Sequence, residues 1–257
     1  MADPASAVVV CDFDGTLAPV VDDPSSARPL DGATGLLRRL ADVFAGVAVV
    51  SGRPASFLAD RLRPVAGVGS DTPGLLLFGL YGMESVRPDG PVALDGRAGP
   101  WLPVVVDVAG RLRDGAPAGV LVEAKGAAVT VHWRRAPAAA GWAEAQAARE
   151  AARTGLVLHP GRRSLELRPP LAVDKGTVLR GLAAGRRSAC FLGDDLGDLP
   201  AFTELQRLHD EDGLVTVGVA VIDDETAPEV EAAADLAVDG PSGAVALLEW
   251  LADSVGA

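Results

Sequence analysis

The chain has 257 residues, of which 49% are hydrophobic and 23% charged, and its formal net charge at pH 7 is −12 with a pI near 4.7. This composition predicts a globular protein with a substantial core, and the acidic balance argues against a nucleic-acid partner, because phosphate backbones bind mainly Lys- and Arg-rich surfaces. No apolar run approaches the roughly 20 residues that span a bilayer, and the N-terminus lacks the pattern of a signal peptide, so we expect a cytoplasmic protein without a membrane partner.

The first predicted strand ends at a pair of carboxylates. Residues 8–10 are three valines, which indicate a strand buried on both faces as in a parallel sheet, and residues 11–16 continue as Cys-Asp-Phe-Asp-Gly-Thr. Ligands bind at the carboxyl edge of open α/β sheets, so Asp12 and Asp14 are candidate catalytic and metal-binding residues. Asp-Gly after a strand is also an ordinary turn, and this stretch alone leaves both interpretations open.

A helix over about residues 30–44 precedes a second strand, residues 47–50, which ends at Ser51-Gly52-Arg53-Pro54. Pro54 suits the first turn of a helix that continues to about residue 62. A strand, a polar turn and a helix N-terminus together form an anion site, in which the Ser51 hydroxyl can donate to a phosphoryl oxygen. The alternative is that Ser51 only caps the helix.

The pattern changes after a third strand at residues 75–80. Antiparallel strands and two helices are expected within residues 84–170, including a strand at 92–94 and a turn at Lys125-Gly126. We interpret 84–170 as an inserted α+β module and assign 1–83 and 171–257 to the main domain. The two cysteines, Cys11 and Cys190, lie in apolar runs of the main domain and are expected to be buried and reduced.

The main domain resumes with a helix that Asp174 caps and Lys175 begins. A strand at 188–192 then leads into residues 193–198, Gly-Asp-Asp-Leu-Gly-Asp, and two further strands and a final helix follow. Acidic residues therefore recur at the ends of two strands. Crowded carboxylates are unfavourable unless a cation compensates, and Mg²⁺ fits because it takes carboxylate and phosphate oxygens.

These motifs resemble, in chain order, the four motifs of the haloacid dehalogenase-like phosphatase superfamily: Asp12-x-Asp14-Gly-Thr16, Ser51, Lys175 and Gly193-Asp194-Asp195-x-x-Asp198. The resemblance covers about 1–83 and 171–257. It implies an α/β fold with a Rossmann-like parallel-sheet core, Mg²⁺ as cofactor and a phospho-aspartyl intermediate.

The resemblance also implies a role for each matching residue. Asp12 would be the nucleophile, and Asp14 would protonate the leaving group and then deprotonate water. Lys175 would hold the transferring group and form a salt bridge to Asp12. Thr16 and Ser51 would bind the phosphate. Mg²⁺ would be bound by Asp12, the Asp14 backbone carbonyl, Asp194 and Asp195, and Asp198 would support the metal site. For Asp195 and Asp198, the choice between metal ligand and supporting residue stays open.

The inserted module resembles trehalose-6-phosphate phosphatases in residues 125–134 and 161–169, as does the hinge at 79–84. The sequence differs from that family at Tyr81 (commonly His), Trp133 (commonly Tyr) and Arg162 (often Lys). His159 and His209 have no assigned role. The residues expected to bind the sugar phosphate are Arg53, Glu84, Lys125, His132, Arg134, Glu166 and Arg168.

The resemblance implies a Mg²⁺-dependent phosphatase that hydrolyses trehalose 6-phosphate, and we expect this protein to be a monomer. On polarity alone, the module's charged strand positions would form the solvated face of an antiparallel sheet. Alternatives for function are a phosphatase or phosphomutase for another sugar phosphate, such as sucrose phosphate, and a non-catalytic regulator that binds sugar phosphates.

Overall fold

The structure is a computed structural model that describes residues 3–63, 74–88, 90–161 and 163–257; of the named residues, Arg162 lies outside these ranges. The chain forms two compact units, a large one of Met1–Ala93 with Val173–Ala257 and a small one of Leu94–Ala172. The small unit therefore begins at Leu94 and ends at Ala172, whereas the sequence predicts 84–170. Among the described helices, none combines the length and apolar composition needed to cross a membrane.

The described residues contain twelve strands and eight α-helices. The strands are β1 Ala7–Cys11, β2 Gly46–Val50, β3 Leu75–Gly79, β4 Glu84–Val86, β5 Ala93–Leu94, β6 Leu121–Lys125, β7 Ala128–His132, β8 Val157–Gly161, β9 Ser164–Arg168, β10 Ser188–Gly193, β11 Val215–Ile222 and β12 Leu236–Asp239. The helices are α1 Ala33–Ala41, α2 Ala55–Leu62, α3 Leu102–Asp114, α4 Ala140–Thr154, α5 Lys175–Ala183, α6 Leu199–Asp212, α7 Pro228–Ala232 and α8 Gly240–Val255.

The large unit is built on an eight-stranded sheet in the order β12-β11-β10-β1-β2-β3-β4-β5. The six strands from β12 to β3 pair in parallel. All residues of β1 and β2 are buried, which explains why these strands lack polar alternation: both faces of a parallel sheet are covered by helices. The parallel sheet predicted from the valine run is confirmed.

Helices cover both faces of this sheet. Val9 and Cys11 of β1 pack in one core cluster with residues of α1, α2 and α8, and Val8 and Val10 pack in another with α5, α6 and α7. The alternation follows from the strand period of two, which sends successive side chains to opposite faces. The result is a three-layer α/β/α unit whose central strand is β1.

Two short strands extend the large sheet beyond the parallel region. β4 pairs antiparallel with β3, so that Gly79 faces Glu84 and Leu77 faces Val86, and β5 lies next to β4. Glu84 and Ala93 therefore lie in the large unit, whereas the sequence groups them with the inserted module, and β5 crosses the boundary because the small unit begins at Leu94.

The small unit is an antiparallel sheet in the order β6-β7-β9-β8, with α3 and α4 on one face. Val129, Val131 and Leu167 contribute to the apolar core against these helices. Thr130 pairs with both Glu123 and Glu166 across the sheet, and this row lies on the opposite face. The predicted hairpin around Lys125-Gly126 is confirmed as β6–β7.

Candidate active site

The predicted phosphatase motifs of the large unit follow three adjacent strands. Asp12 follows β1, Ser51 follows β2 and Asp194 follows β10, and β1 lies between the other two. The Asp12 N–H donates to the Leu192 carbonyl at 2.9 Å, which continues the sheet pairing one residue past β1. Because the strands are parallel, their carboxyl ends meet at one edge, where open α/β sheets bind ligands.

Lys175 joins two of these carboxylates. It is the first residue of α5, which Asp174 caps through a reciprocal hydrogen bond with Thr177, as predicted for Asp174. The Lys175 ammonium donates to Asp12 Oδ1 at 2.6 Å and to Asp198 Oδ1 at 2.5 Å. The predicted salt bridge between Lys175 and Asp12 is confirmed, and all three side chains are buried.

Burial and charge act in opposite directions on this triad. Burial alone lowers the pKa of Lys175, but the carboxylates of Asp12 and Asp198 outweigh it and raise that pKa well above its usual value. Burial raises the pKa of Asp12 above its ordinary range and that of Asp198 to about 6, although Lys175 opposes both shifts. The ammonium is therefore charged and firmly paired.

Asp194 is held by the first motif and by its own turn. The Thr16 hydroxyl donates to Asp194 Oδ1 at 3.2 Å, and a Cβ at Gly15, whose φ is +82°, would collide with the Asp194 carboxylate. Asp198 Oδ2 accepts from the backbone N–H groups of Asp194 and Asp195 at 2.9 and 3.0 Å. These contacts fix the loop after β10 against the loop after β1.

Three carboxylates of this site suit a divalent cation. Asp12, Asp194 and Asp198 each offer an oxygen, and these oxygens lie within 4.8 Å of one another. A donor set of carboxylate oxygens alone is that of a hard ion such as Mg²⁺. The sequence predicts Asp195 as a metal ligand and Asp198 as a residue that supports the metal site. In the structure Asp198 belongs to the carboxylate cluster, whereas Asp195 Oδ1 accepts a hydrogen bond from the Gly197 N–H at 2.8 Å.

Asp14 is engaged by an arginine. Arg53 Nε and Nη2 donate to Asp14 Oδ2 and Oδ1, both at 2.7 Å, and the guanidinium stacks over the Phe57 ring at 4.7 Å. A bidentate pair of this kind fixes the orientation of a carboxylate. The Asp14 backbone carbonyl, expected at the metal, remains a prediction.

The start of α2 is capped by a residue of β4. Glu84 Oε2 accepts from the Ala55 N–H at 2.8 Å, while Pro54 occupies the N-cap position instead of the predicted first turn. The interpretation of Ser51 as the helix cap is therefore wrong. The Ser51 Oγ accepts from the Arg53 N–H at 3.2 Å, which leaves the hydroxyl proton available to another acceptor.

A second polar cluster lies within the small unit. Glu166 accepts from Thr130 at 3.0 Å and from Arg168 at 2.6 Å, and Lys125 lies 3.5 Å from it. Lys125, Thr130 and Glu166 are buried, so this face of the sheet is not the solvated one that polarity alone would indicate. His132 Nε2 lies 3.0 Å from Glu123 Oε2 in the same unit.

Replacing Glu166 by Gln should destabilise the small unit in a pH-dependent way. Burial alone would raise the pKa of Glu166, but Lys125, Arg168 and Thr130 lower it to about 2. Its ionised form therefore stabilises the fold above pH 4.5, and this contribution is lost as the pH falls towards 2. We expect Glu166→Gln to cost about 2–3 kcal/mol at pH 7 and less than about half of that at pH 3.

Urea unfolding followed by tryptophan fluorescence measures this effect. Three of the four tryptophans, Trp101, Trp133 and Trp142, lie in the small unit. The matched control is Glu144→Gln on the exposed side of α4, which should leave the free energy of unfolding within about 0.5 kcal/mol of wild type. A cost that stays constant from pH 7 to pH 3 would contradict the prediction.

Comparison with known proteins is consistent with this arrangement. The trehalose-phosphatase family model matches residues 10–242. The chain belongs to the trehalose-phosphatase family. Among its relatives, a trehalose-phosphate phosphatase from Mycolicibacterium paratuberculosis is 38% identical over 258 residues, which covers 96% of this chain and 62% of that protein. The chain thus spans less than two thirds of the length of this relative.

Solved structures share the fold of this chain. A trehalose-6-phosphate phosphatase related protein is 21% identical with a TM-score of 0.77, and the match covers 96% of this chain and 97% of that one. The C-terminal domain of a C. albicans trehalose-6-phosphate phosphatase is 23% identical with the same TM-score, over 97% of this chain and 93% of that one. The α/β fold with a parallel-sheet core that the motifs imply is confirmed.

The trehalose-phosphatase motifs of the large unit converge as expected, and three further contacts there escape the sequence analysis. These are the clamp of Arg53 on Asp14, the cap that Glu84 supplies to α2, and the bond between Lys175 and Asp198. Only the last has a signal in the sequence: Lys175 is one of two lysines in the chain, and both it and Asp198 belong to matched motifs. Of the residues expected to bind the sugar phosphate, five lie in the small unit: Lys125, His132, Arg134, Glu166 and Arg168.

Proposed function

We propose that the protein is a Mg²⁺-dependent phosphatase that hydrolyses trehalose 6-phosphate to trehalose and phosphate through an aspartyl-phosphate intermediate. The observation that carries this proposal is the buried triad of Asp12, Lys175 and Asp198 at the carboxyl edge of the parallel sheet, in a chain of the trehalose-phosphatase family. We also propose that the enzyme is cytoplasmic and monomeric.

Asp12 is the nucleophile in this proposal. A carboxylate oxygen of Asp12 forms a bond to phosphorus while the bond between phosphorus and the sugar oxygen breaks. The Lys175 ammonium holds Asp12 Oδ1 at 2.6 Å, which orients the carboxylate before substrate arrives. Lys175, the Ser51 hydroxyl and the Thr16 hydroxyl are the donors for the oxygens of the transferring group.

Asp14 is the proton carrier. In the first half-reaction it gives a proton to the sugar oxygen as this oxygen leaves phosphorus. In the second half-reaction it takes a proton from water, which attacks phosphorus while the bond between phosphorus and Asp12 breaks. The clamp from Arg53 fixes the direction in which Asp14 presents its carboxylate. Both half-reactions then use the same side chain, and free phosphate is the product.

The cation site completes the proposed chemistry. Asp12, Asp194 and Asp198 would hold Mg²⁺, with the Asp14 carbonyl and Asp195 as further candidates, and a bound Mg²⁺ neutralises charge on the phosphoryl oxygens. Thr16 keeps Asp194 in position through its hydrogen bond at 3.2 Å. The rest of the reaction depends on residues of the chain itself.

The small unit supplies sugar recognition in this proposal. Sugar hydroxyls need both donors and acceptors, and the polar face of the small sheet offers the ammonium of Lys125, the carboxylate of Glu166 and the imidazole of His132. Arg134 and Arg168 add cationic donors. In the large unit, Arg53 and Glu84 keep their predicted substrate roles, although each also has a structural contact.

The substrate assignment is tested by phosphate release from a panel of sugar phosphates in the presence of Mg²⁺. We expect kcat/KM for trehalose 6-phosphate to exceed that for glucose 6-phosphate by about 100-fold or more, because a site built for a second sugar ring loses those hydrogen bonds with a monosaccharide. Sucrose phosphate serves as the matched disaccharide control.

Three outcomes would contradict the proposal in different ways. Equal kcat/KM for glucose 6-phosphate and trehalose 6-phosphate would remove the disaccharide assignment. Formation of an isomer that depends on an added bisphosphate would indicate a mutase. Tight binding of trehalose 6-phosphate without phosphate release at saturating Mg²⁺ would indicate a regulator.

A further inference from the structure

Three consecutive residues with positive φ join β3 to β4. Leu80, Tyr81 and Gly82 have φ values of 49°, 61° and 111°, and the first two are not glycines. Residues other than glycine rarely adopt a positive φ, and such backbone strain persists only where surrounding contacts enforce it, most often at functional sites. We refer to Leu80–Gly82 as the left-handed turn.

The left-handed turn is fixed by the motif that follows β2. The Leu80 N–H donates to the Arg53 carbonyl and the Tyr81 N–H donates to the Ser51 carbonyl, both at 2.9 Å. On its other side the turn packs on α5, because a Cβ at Gly82 would collide with Val178. The strained backbone is therefore held between the Ser51–Arg53 segment and the helix that Lys175 begins.

This backbone directs the Tyr81 ring towards the site. The Lys175 Nζ lies 5.9 Å from the ring centroid, within the distance at which an ammonium is attracted to an aromatic face. A Cβ at Gly52 would lie 2.6 Å from the Tyr81 hydroxyl, and one at Gly197 would lie 3.5 Å from the ring. One side chain thus meets the turn after β2, the lysine of α5 and the turn after β10.

We propose that Tyr81 is a positioning residue that holds the Lys175 ammonium between Asp12 and Asp198, and that the left-handed turn exists to deliver its ring. This inference rests on the proposed function for its effect on turnover, but its effect on Lys175 is independent of any activity. In this proposal the aromatic face acts on the ammonium, and the hydroxyl lies where a Cβ at Gly52 would stand.

The first test measures how readily Lys175 is acylated. An amine-reactive acetylating reagent is applied to the full chain, and the modification of each lysine is quantified by mass spectrometry. Because the chain has only two lysines, Lys125 is an internal control. We expect Tyr81→Leu to raise the acetylation rate of Lys175 about threefold to tenfold, Tyr81→Phe to keep it near wild type, and both to leave Lys125 unchanged.

Leucine is the matched replacement because the neighbouring Leu80 already adopts a positive φ. Equal acetylation of Lys175 in Tyr81→Leu and wild type would overturn the proposal, as would equal rises for Lys175 and Lys125, which would report general loosening. Urea unfolding of both variants checks that the fold is retained.

The second test separates positioning from structure in steady-state kinetics. A misplaced Lys175 should lower kcat about tenfold to 100-fold in Tyr81→Leu while KM changes by less than about threefold, and Tyr81→Phe should restore kcat. A loss confined to stability would contradict a positioning role. If wild type released no phosphate from any sugar phosphate, the proposed function would fail, and the acetylation result would still decide the role of Tyr81.

Discussion

Asp12→Asn should lower the rate of phosphate release by roughly 10⁴-fold or more while the chain stays folded, because an amide is a very weak nucleophile towards phosphorus. The replacement keeps the size of a side chain that is 4% exposed, and Lys175 keeps its bond to Asp198. Phosphate release from trehalose 6-phosphate measures the rate, and circular dichroism and urea unfolding measure the fold.

The matched control for Asp12→Asn is Asp31→Asn, an exposed position before α1, which should turn over like wild type. A variant with the intact nucleophile should also become phosphorylated during turnover, so acid quenching and intact-mass measurement should detect one added phosphoryl group in wild type and none in Asp12→Asn. Appreciable turnover by folded Asp12→Asn would remove Asp12 as the nucleophile.

Lys175→Met should destabilise the metal-free protein by about 3–5 kcal/mol, because it leaves Asp12 and Asp198 buried without the ammonium that pairs with both. Urea unfolding in the presence of EDTA measures this cost. Turnover should fall as well, since the lysine orients Asp12 in the proposed reaction.

A double-mutant cycle makes this second prediction sharper. Adding Asp12→Asn to Lys175→Met removes one of the two buried carboxylates that Lys175→Met leaves without a counter-charge. The double variant should therefore be more stable, by about 1–3 kcal/mol, than the sum of the two single effects predicts. Arg186→Met, at an exposed position before β10, is the control and should change stability by less than about 0.5 kcal/mol. Strictly additive effects of Asp12→Asn and Lys175→Met would contradict the pairing.

The sequence predicts the parallel part of the large sheet, but it does not predict that β4 and β5 extend the edge of this sheet. Strands buried on both faces, such as β1 and β2, are short apolar runs, and their length and high valine content favour a strand over a buried helix. β4 and β5 are three and two residues long, and their place depends on pairing with a strand already in the sheet. Sequence periodicity carries no information on such a partner, so the sequence groups both strands with the inserted module.

A similar division applies to the site. Backbone position alone brings Asp12, Ser51 and Asp194 to one edge, and the sequence predicts that much because each follows a recognisable strand. The clamp of Arg53 on Asp14 and the cap from Glu84 depend on side-chain conformations and on β4. The positive φ of Tyr81 is equally invisible, since nothing in a tyrosine signals a left-handed backbone.

The pairing of β1 with β10 also determines when the site can form during folding. The bond from Lys175 to Asp12 spans 163 residues and that from Thr16 to Asp194 spans 178, and the whole small unit, with its own apolar core, lies between them. Closing so long a loop is slow compared with local structure. A nascent chain that ends before β10 already contains Asp12 and its partner Lys175 but lacks Asp194 and Asp198, so the carboxylate cluster should assemble only after β10 has been synthesised.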